Sequence, residues 1–214
     1  MTLSSDPSKT SRLRLAVLIL AAGEGSRLGG YPKALLKKES GSLLKRLIES
    51  SQGFAPIETL VVTGFYSDEI EAEIQSIQQS VLSPITWVRN ANPAAGQSTS
   101  VRLGLESLKS DYDLVLIALS DQPNIGTSEI KSLLEQFSQH SLQHEIVLPV
   151  VNGQRGNPVL FSREVIQKIL EIPGMACRPY MDQHPQLVKT YETDNDAYIL
   201  DVDTHDDIQK LGLN

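Results

Sequence analysis

Hydrophobic positions in this chain alternate between two periods. Leu15–Leu20 is an unbroken apolar run, the pattern of a strand buried on both faces of a parallel sheet. Helical spacing follows near Ser42–Gln52, then a strand at Thr59–Thr63 and a helix near Asp68–Ile77. The rhythm continues with a short strand at Ile85–Val88, a helix from about Ser98 to Leu108, the strong strand Leu114–Leu119 and a helix over Thr127–Gln139. Strands joined by helices predict a three-layer α/β/α architecture, Rossmann-like, with a mostly parallel sheet. Past Glu145 the pattern shifts to short β segments, Ile146–Val150 and Pro158–Phe161, joined by the turn Asn152-Gly-Gln-Arg-Gly156. Helices near Arg163–Leu170 and Cys177–Gln183 and a closing strand–turn–helix over Tyr198–Leu211 complete the chain.

Composition narrows this picture. Residues 1–11 are polar and predict a disordered arm, leaving 12–214 as a single domain without repeats or a dividing linker. Lys9, Arg12 and Arg14 ahead of Leu15–Ala22 resemble a signal peptide, but a buried strand explains the same run. The net charge of -7 argues against nucleic acid as a partner, and no apolar run reaches the ~18 residues of a membrane span. The single cysteine, Cys177, suits a reducing, cytoplasmic setting.

In open parallel sheets ligands bind beyond the carboxyl ends of the strands, so the segments after Leu20, Thr63, Val88 and Leu119 are where chemistry is expected. After the first strand comes Gly23-Glu-Gly25-Ser-Arg-Leu-Gly29-Gly30, whose missing β-carbons allow close approach to a ligand and whose amides form an anion nest. It lacks the Gly-Lys-Ser/Thr ending of a Walker loop. Leu28 stands where a dinucleotide fingerprint needs glycine, which weakens the alternative of an NAD(P)-linked oxidoreductase. Two cations, Arg27 and Lys33, accompany the loop and suit a polyphosphate.

Carboxylates follow two other predicted strands. Asp121 comes directly after Leu114–Leu119, placed to hold the metal of a metal–NTP complex, since magnesium takes a few carboxylate oxygens together with waters and phosphates. In Asp201-Val-Asp203-Thr204, alternation along a closing strand puts Asp201 and Asp203 on one face, and Asp203 is the expected second metal ligand. Thr204 reads as a helix cap, with Asp206 and Asp207 favouring the helix dipole. Trp87 reads as a core residue more readily than as a stacking platform, and the four histidines share no metal-binding face.

Together Leu20-Ala-Ala-Gly-x-Gly-Ser-Arg-Leu-Gly with Lys33, Gly96-Gln-Ser98-x-Ser100, Asp121-Gln-Pro123, Arg155-Gly156-x-Pro158-Val-Leu-Phe161 and Asp201-Val-Asp203-Thr204-x-x-Asp207 resemble the MobA-like NTP transferases, most of all their molybdenum cofactor cytidylyltransferase group. The resemblance implies the nucleotide-diphospho-sugar transferase (GT-A-like) fold. It implies that Leu20, Ala21, Ala22, Gly23, Gly25 and Ser26 bind the triphosphate and that Arg27 and Lys33 neutralise charge. Asp121 and Asp203 would hold Mg2+, with Mn2+ as a substitute. Thr63, Gly64, Gln97, Ser98 and Ser100 are expected around the base and ribose, and Ala22 favours CTP over GTP. Arg155, Gly156, Asn157, Pro158 and Arg178 are expected on the side of a phosphorylated acceptor, molybdopterin first, with a client molybdoenzyme downstream. The family usually reads Gly-His-Pro at 156–158, where this chain has Asn157, which leaves another phosphorylated small molecule open as acceptor.

Overall fold

Leu15–Ala21 forms β1, and all seven of its residues are buried. In the computed structural model, which describes residues 13–39, 41–81, 83–139 and 144–214, this strand is the axis of the molecule. The arm expected over residues 1–11 lies outside the described residues, as does His140. The order continues with β2 (Lys37–Lys38), β3 (Gly41–Ser42), α1 (Leu43–Gln52), β4 (Glu58–Thr63), α2 (Ser67–Gln78), β5 (Ile85–Arg89), α3 (Gln97–Ser107), β6 (Leu114–Leu119) and α4 (Thr127–Ser138). It ends with β7 (Ile146–Val151), β8 (Gln154–Arg155), β9 (Val159–Ser162), α5 (Arg163–Glu171), α6 (Cys177–Gln183), β10 (Val188–Glu192) and α7 (His205–Lys210).

The main sheet runs β10-β7-β9-β6-β1-β4-β5, with β8 paired to β7. β1 pairs in parallel with both β4 and β6, so its two faces must both be covered. Alternation divides its side chains: Val17 and Ile19 meet Leu44 and Ile48 of α1, Ile70 and Ile74 of α2 and Leu133 of α4. Leu18 and Leu20 face Leu105 of α3, Ile166 of α5 and Met181 of α6. Each such fully buried aliphatic side chain stabilises by about 1.5–3 kcal/mol. The expected three layers and mostly parallel sheet are present, with β9, antiparallel to β6 and β7, and the short β8, antiparallel to β7, as the reversed strands.

Local signals set the helix starts. Ser42 accepts from the Lys45 amide at 3.0 Å and Ser162 from the Val165 amide at 3.2 Å, each meeting an orphan N–H of the first turn. Two expectations change. The closing strand over 198–203 is absent: the segment leaves a short 3₁₀ turn at Asp196–Tyr198 and joins the fold through two backbone bonds, Asn157 N–H to the Tyr198 carbonyl at 2.8 Å and Val202 N–H to the Asp121 carbonyl at 3.1 Å. Instead β10, which the periodicity did not mark, pairs in parallel with β7 at the sheet edge. Its sequence Val-Lys-Thr-Tyr-Glu is only half-buried, so no apolar stripe announces it.

Candidate active site

The parallel register fixes what meets at the carboxyl edge. Ala21 pairs with Thr63 and Leu20 with Leu119, so the chain continues side by side into Ala22, Gly64 and Ser120. Beyond these ends opens a cavity of about 510 Å³, whose floor and one flank are Leu20–Glu24, Lys33, Ser120 and Asp121. Asp201, Phe65, Pro93, Ala94, Gln97 and Ser100 belong to the same lining.

The glycine loop reaches this cavity with its first part only. Gly25 adopts φ 63°, and a β-carbon there would overlap the Tyr31 carbonyl. The amides of Leu28 and Gly30 donate to the Gly25 carbonyl and that of Gly29 to the Ser26 carbonyl, at 2.9, 3.1 and 3.1 Å. These three amides are spent on the turn and are not open to an anion. Gly25 and Ser26 shape the loop from behind instead of lining the cavity. Tyr66 Oη donates to the Glu24 carbonyl at 2.9 Å and fixes the loop against α2.

Charge is concentrated opposite the loop. Lys33 Nζ donates to Asp203 Oδ1 at 2.6 Å and Asp121 Oδ2 at 3.5 Å, and Arg27 Nη1 pairs with Asp203 Oδ2. Burial works to lower the Lys33 pKa, but the carboxylates of Asp203 and Asp121 outweigh it and hold the ammonium above its ordinary value. Burial raises the Asp121 pKa above the usual carboxylate range; Lys33 pulls against this and the Asp201 charge adds to it. The four side chains expected to handle phosphate and metal thus form one network in the free protein.

Tertiary packing brings the C-terminal carboxylates here. Val202 is buried in a cluster with Leu28, Leu36, Leu43 and Leu213, clamping the segment onto the first loop. Asn214 and Lys37 exchange backbone bonds of 2.7 and 3.0 Å on its far side. With Val202 turned inward, Asp201 lines the cavity while Asp203 reaches Lys33 and Arg27, so the two acids do not share one face of a strand. Thr204 caps α7 in a reciprocal capping box with Asp207, the role expected of it.

A second cavity, of about 530 Å³, adjoins the first and shares Leu20, Gln97 and Leu119 with it. Arg155, Gly156, Asn157 and Arg178 line it, over a largely apolar wall that includes Phe161 and Met181. Arg155 is paired with Asp182 at 2.6 Å. Pro158 lies outside the lining. The Tyr198 carbonyl accepts from the Asn157 amide at 2.8 Å and from Gln122 Nε2 at 2.9 Å, joining the loop that carries Asn157, the Asp121 loop and the C-terminal segment. Gln122 and Tyr198 were missed in sequence because their task is a contact between distant segments.

Several expected contacts fall elsewhere. Thr63 is fully buried, its hydroxyl donating to Glu71 at 3.2 Å and accepting from Ser67 at 3.0 Å, so it supports the strand end and does not face the cavity. Gly64 packs directly against Ala22 and Pro93, leaving its role steric. Ser98 turns to the second cavity, whereas Ser100, held by Asn90 Nδ2 at 2.9 Å, lines the first. Trp87 is 38% exposed on edge strand β5 and lines neither cavity, so it belongs neither to the core nor to the site.

Comparison with known proteins agrees with this arrangement. The chain is 27% identical over 194 residues to the molybdenum cofactor cytidylyltransferase of Escherichia coli (strain K12), covering 89% of this chain and 91% of that protein. It is also 27% identical over 156 residues to a probable molybdenum cofactor guanylyltransferase of Bacillus cytotoxicus, covering 72% of each. Against a bifunctional GlmU protein of Synechococcus sp. (strain JA-3-3Ab) it is 28% identical over 81% of its own length but spans 27% of that protein. Among solved structures, Rv0371c of Mycobacterium tuberculosis superposes with a TM-score of 0.73 at 22% identity, covering 94% of this chain and 98% of the other, which establishes the shared fold. Residues 17–187 match the model of the MobA-like NTP transferase domain, the span that carries the glycine loop, Asp121 and both cavities' shared wall, and the chain belongs to that family.

Proposed function

We propose that the protein moves CMP from CTP to the terminal phosphate of molybdopterin with release of pyrophosphate. The observation that carries this reading is the pair of adjoining cavities, one with the glycine loop, Lys33 and Asp121, the other with Arg178, separated only by Leu20, Gln97 and Leu119. Such a wall lets two phosphorylated ligands meet end to end. The chemistry is positioning and charge stabilisation without a covalent nucleophile. An acceptor phosphate oxygen bonds to the α-phosphorus as the bond from that phosphorus to the pyrophosphate bridging oxygen breaks. Lys33 and Arg27 neutralise the charge that grows on the leaving pyrophosphate, and Arg178 holds the acceptor phosphate.

The donor set fits magnesium. Asp121 and Asp203 both contact the one Lys33 nitrogen, so they converge on a common cation position. Among the described residues no group of three or more acidic, histidine or cysteine side chains forms an all-protein cage. One or two carboxylates completed by phosphate and water are what magnesium, or manganese in its place, prefers. When bound, the ion would supply positive charge beside the reacting phosphates.

Ala22 in the cavity wall supports cytosine as the base. A second acceptor reading, transfer to a different phosphorylated small molecule, draws support from Asn157 in the second cavity, an amide where cytidylyltransferases of this group carry histidine. A pyrophosphate-release assay with CTP and GTP, each with and without molybdopterin, tests these statements. Release that requires both CTP and molybdopterin is expected. Higher turnover with GTP would overturn the base, and no molybdopterin-dependent release with either nucleotide would overturn the acceptor.

A further inference from the structure

The first cavity holds an aromatic ring to which neither phosphate nor metal chemistry gives a task. Phe65 is 41% exposed although it is a large apolar side chain, and among the described residues it is the one aromatic lining that cavity. Its position is built by its neighbour. Gly64 sits so close that a β-carbon would lie 2.7 Å from the Ala22 carbonyl oxygen and 2.9 Å from Pro93 Cβ. The turn carrying Phe65 is therefore pressed onto both Ala22 and Pro93, and its ring stands at the cavity rim beside a wall of small, apolar groups. The charged groups Lys33, Asp121 and Asp201 line the same cavity.

We propose that Phe65 is the stacking platform for the base of the bound nucleotide, an inference that rests on the nucleotidyl-transfer reading. A planar base laid on the ring removes both apolar faces from water, which gives affinity with little discrimination, since every base has a π-face. Choice of base is left to the edge groups around Ala22. The aromatic considered in the sequence for this role, Trp87, is on the outer edge strand and outside the cavity.

Calorimetric titration of the full chain with CTP and with GTP, and separately with inorganic tripolyphosphate, tests the assignment. Phe65→Leu, which keeps apolar volume but removes the π-face, is expected to weaken CTP binding roughly tenfold while leaving tripolyphosphate binding unchanged. Phe65→Trp is expected to retain CTP affinity and to add indole emission that CTP quenches and tripolyphosphate does not. Equal CTP affinity in wild type and Phe65→Leu overturns the proposal, as does equal loss of both ligands, which would mark Phe65 as structural. Wild type that binds neither CTP nor GTP overturns the nucleotide reading itself, a result distinct from any behaviour of the variants.

Discussion

Gly64→Ala separates the packing of the first cavity from its chemistry. The β1–β4 register carries Gly64 alongside Ala22, where an added β-carbon would lie 2.7 Å from the Ala22 carbonyl oxygen, 2.8 Å from Ala22 Cβ and 2.9 Å from Pro93 Cβ. Favourable carbon contacts lie at about 3.5–4.0 Å, so two of these are short by roughly 1 Å. Neither alanine nor proline has a long side chain that can swing aside, and relief must come from backbone. Overpacking of this kind costs about 1–3 kcal/mol, and the rigid partners place this site at about 2–3 kcal/mol. For a chain of this size that lowers Tm by roughly 4–12 °C. Urea denaturation followed by circular dichroism reads the loss, and CTP titration reads the accompanying displacement of Ala22 as weaker binding. Gly23→Ala is the matched control: nothing lies within 4 Å of its added β-carbon, so stability should hold or rise by about 0.4–1 kcal/mol. Because Gly23 lines the cavity, its methyl group should still obstruct the nucleotide. Unchanged stability in Gly64→Ala, or equal destabilisation in both variants, would refute the steric reasoning.

Asp121→Asn is expected to abolish pyrophosphate release while the protein stays folded; retained turnover removes Asp121 from the mechanism. Because Lys33 and Arg27 already occupy the carboxylates, Mn2+ should bind weakly to the free protein and more tightly with CTP present, as read by the electron paramagnetic resonance signal of free Mn2+. Lys33→Met should then strengthen Mn2+ binding without nucleotide by roughly tenfold, since charge-assisted hydrogen bonds are worth about 1.5–3 kcal/mol; unchanged binding refutes the masking. Away from the site, the Arg14 guanidinium and backbone amide hold the Asp113 carboxyl down to about 2. A depressed carboxyl stabilises above its unfolded value of about 3.9 and loses that contribution as pH falls through the folded value. Acid titration should therefore show a wild-type loss between about pH 4 and pH 2 that is reduced in Asp113→Asn.

The sequence by itself determined the layers and half of the site. Leu15–Leu20 and Leu114–Leu119 are apolar without alternation because both faces of a central parallel strand are covered, so the strands and the ends that open on the cavity were legible. Lys33 and Asp121 were legible for the same reason: they come after those strands by a short, local path. Features without a local period were decided by tertiary structure. Asp201 reaches the cavity and Asp203 reaches Lys33 because Val202 is buried against Leu28 and Leu213, a packing that joins the C-terminal segment to the first loop, and not because a strand presents them. The half-buried edge strand β10, the Tyr198 carbonyl that ties three loops together, and the placement of Phe65 in the cavity with Trp87 outside it likewise depend on long-range register. Periodicity reports which face of a segment is buried; which distant segment buries it, and so which side chains share a cavity, is set only when the sheet assembles.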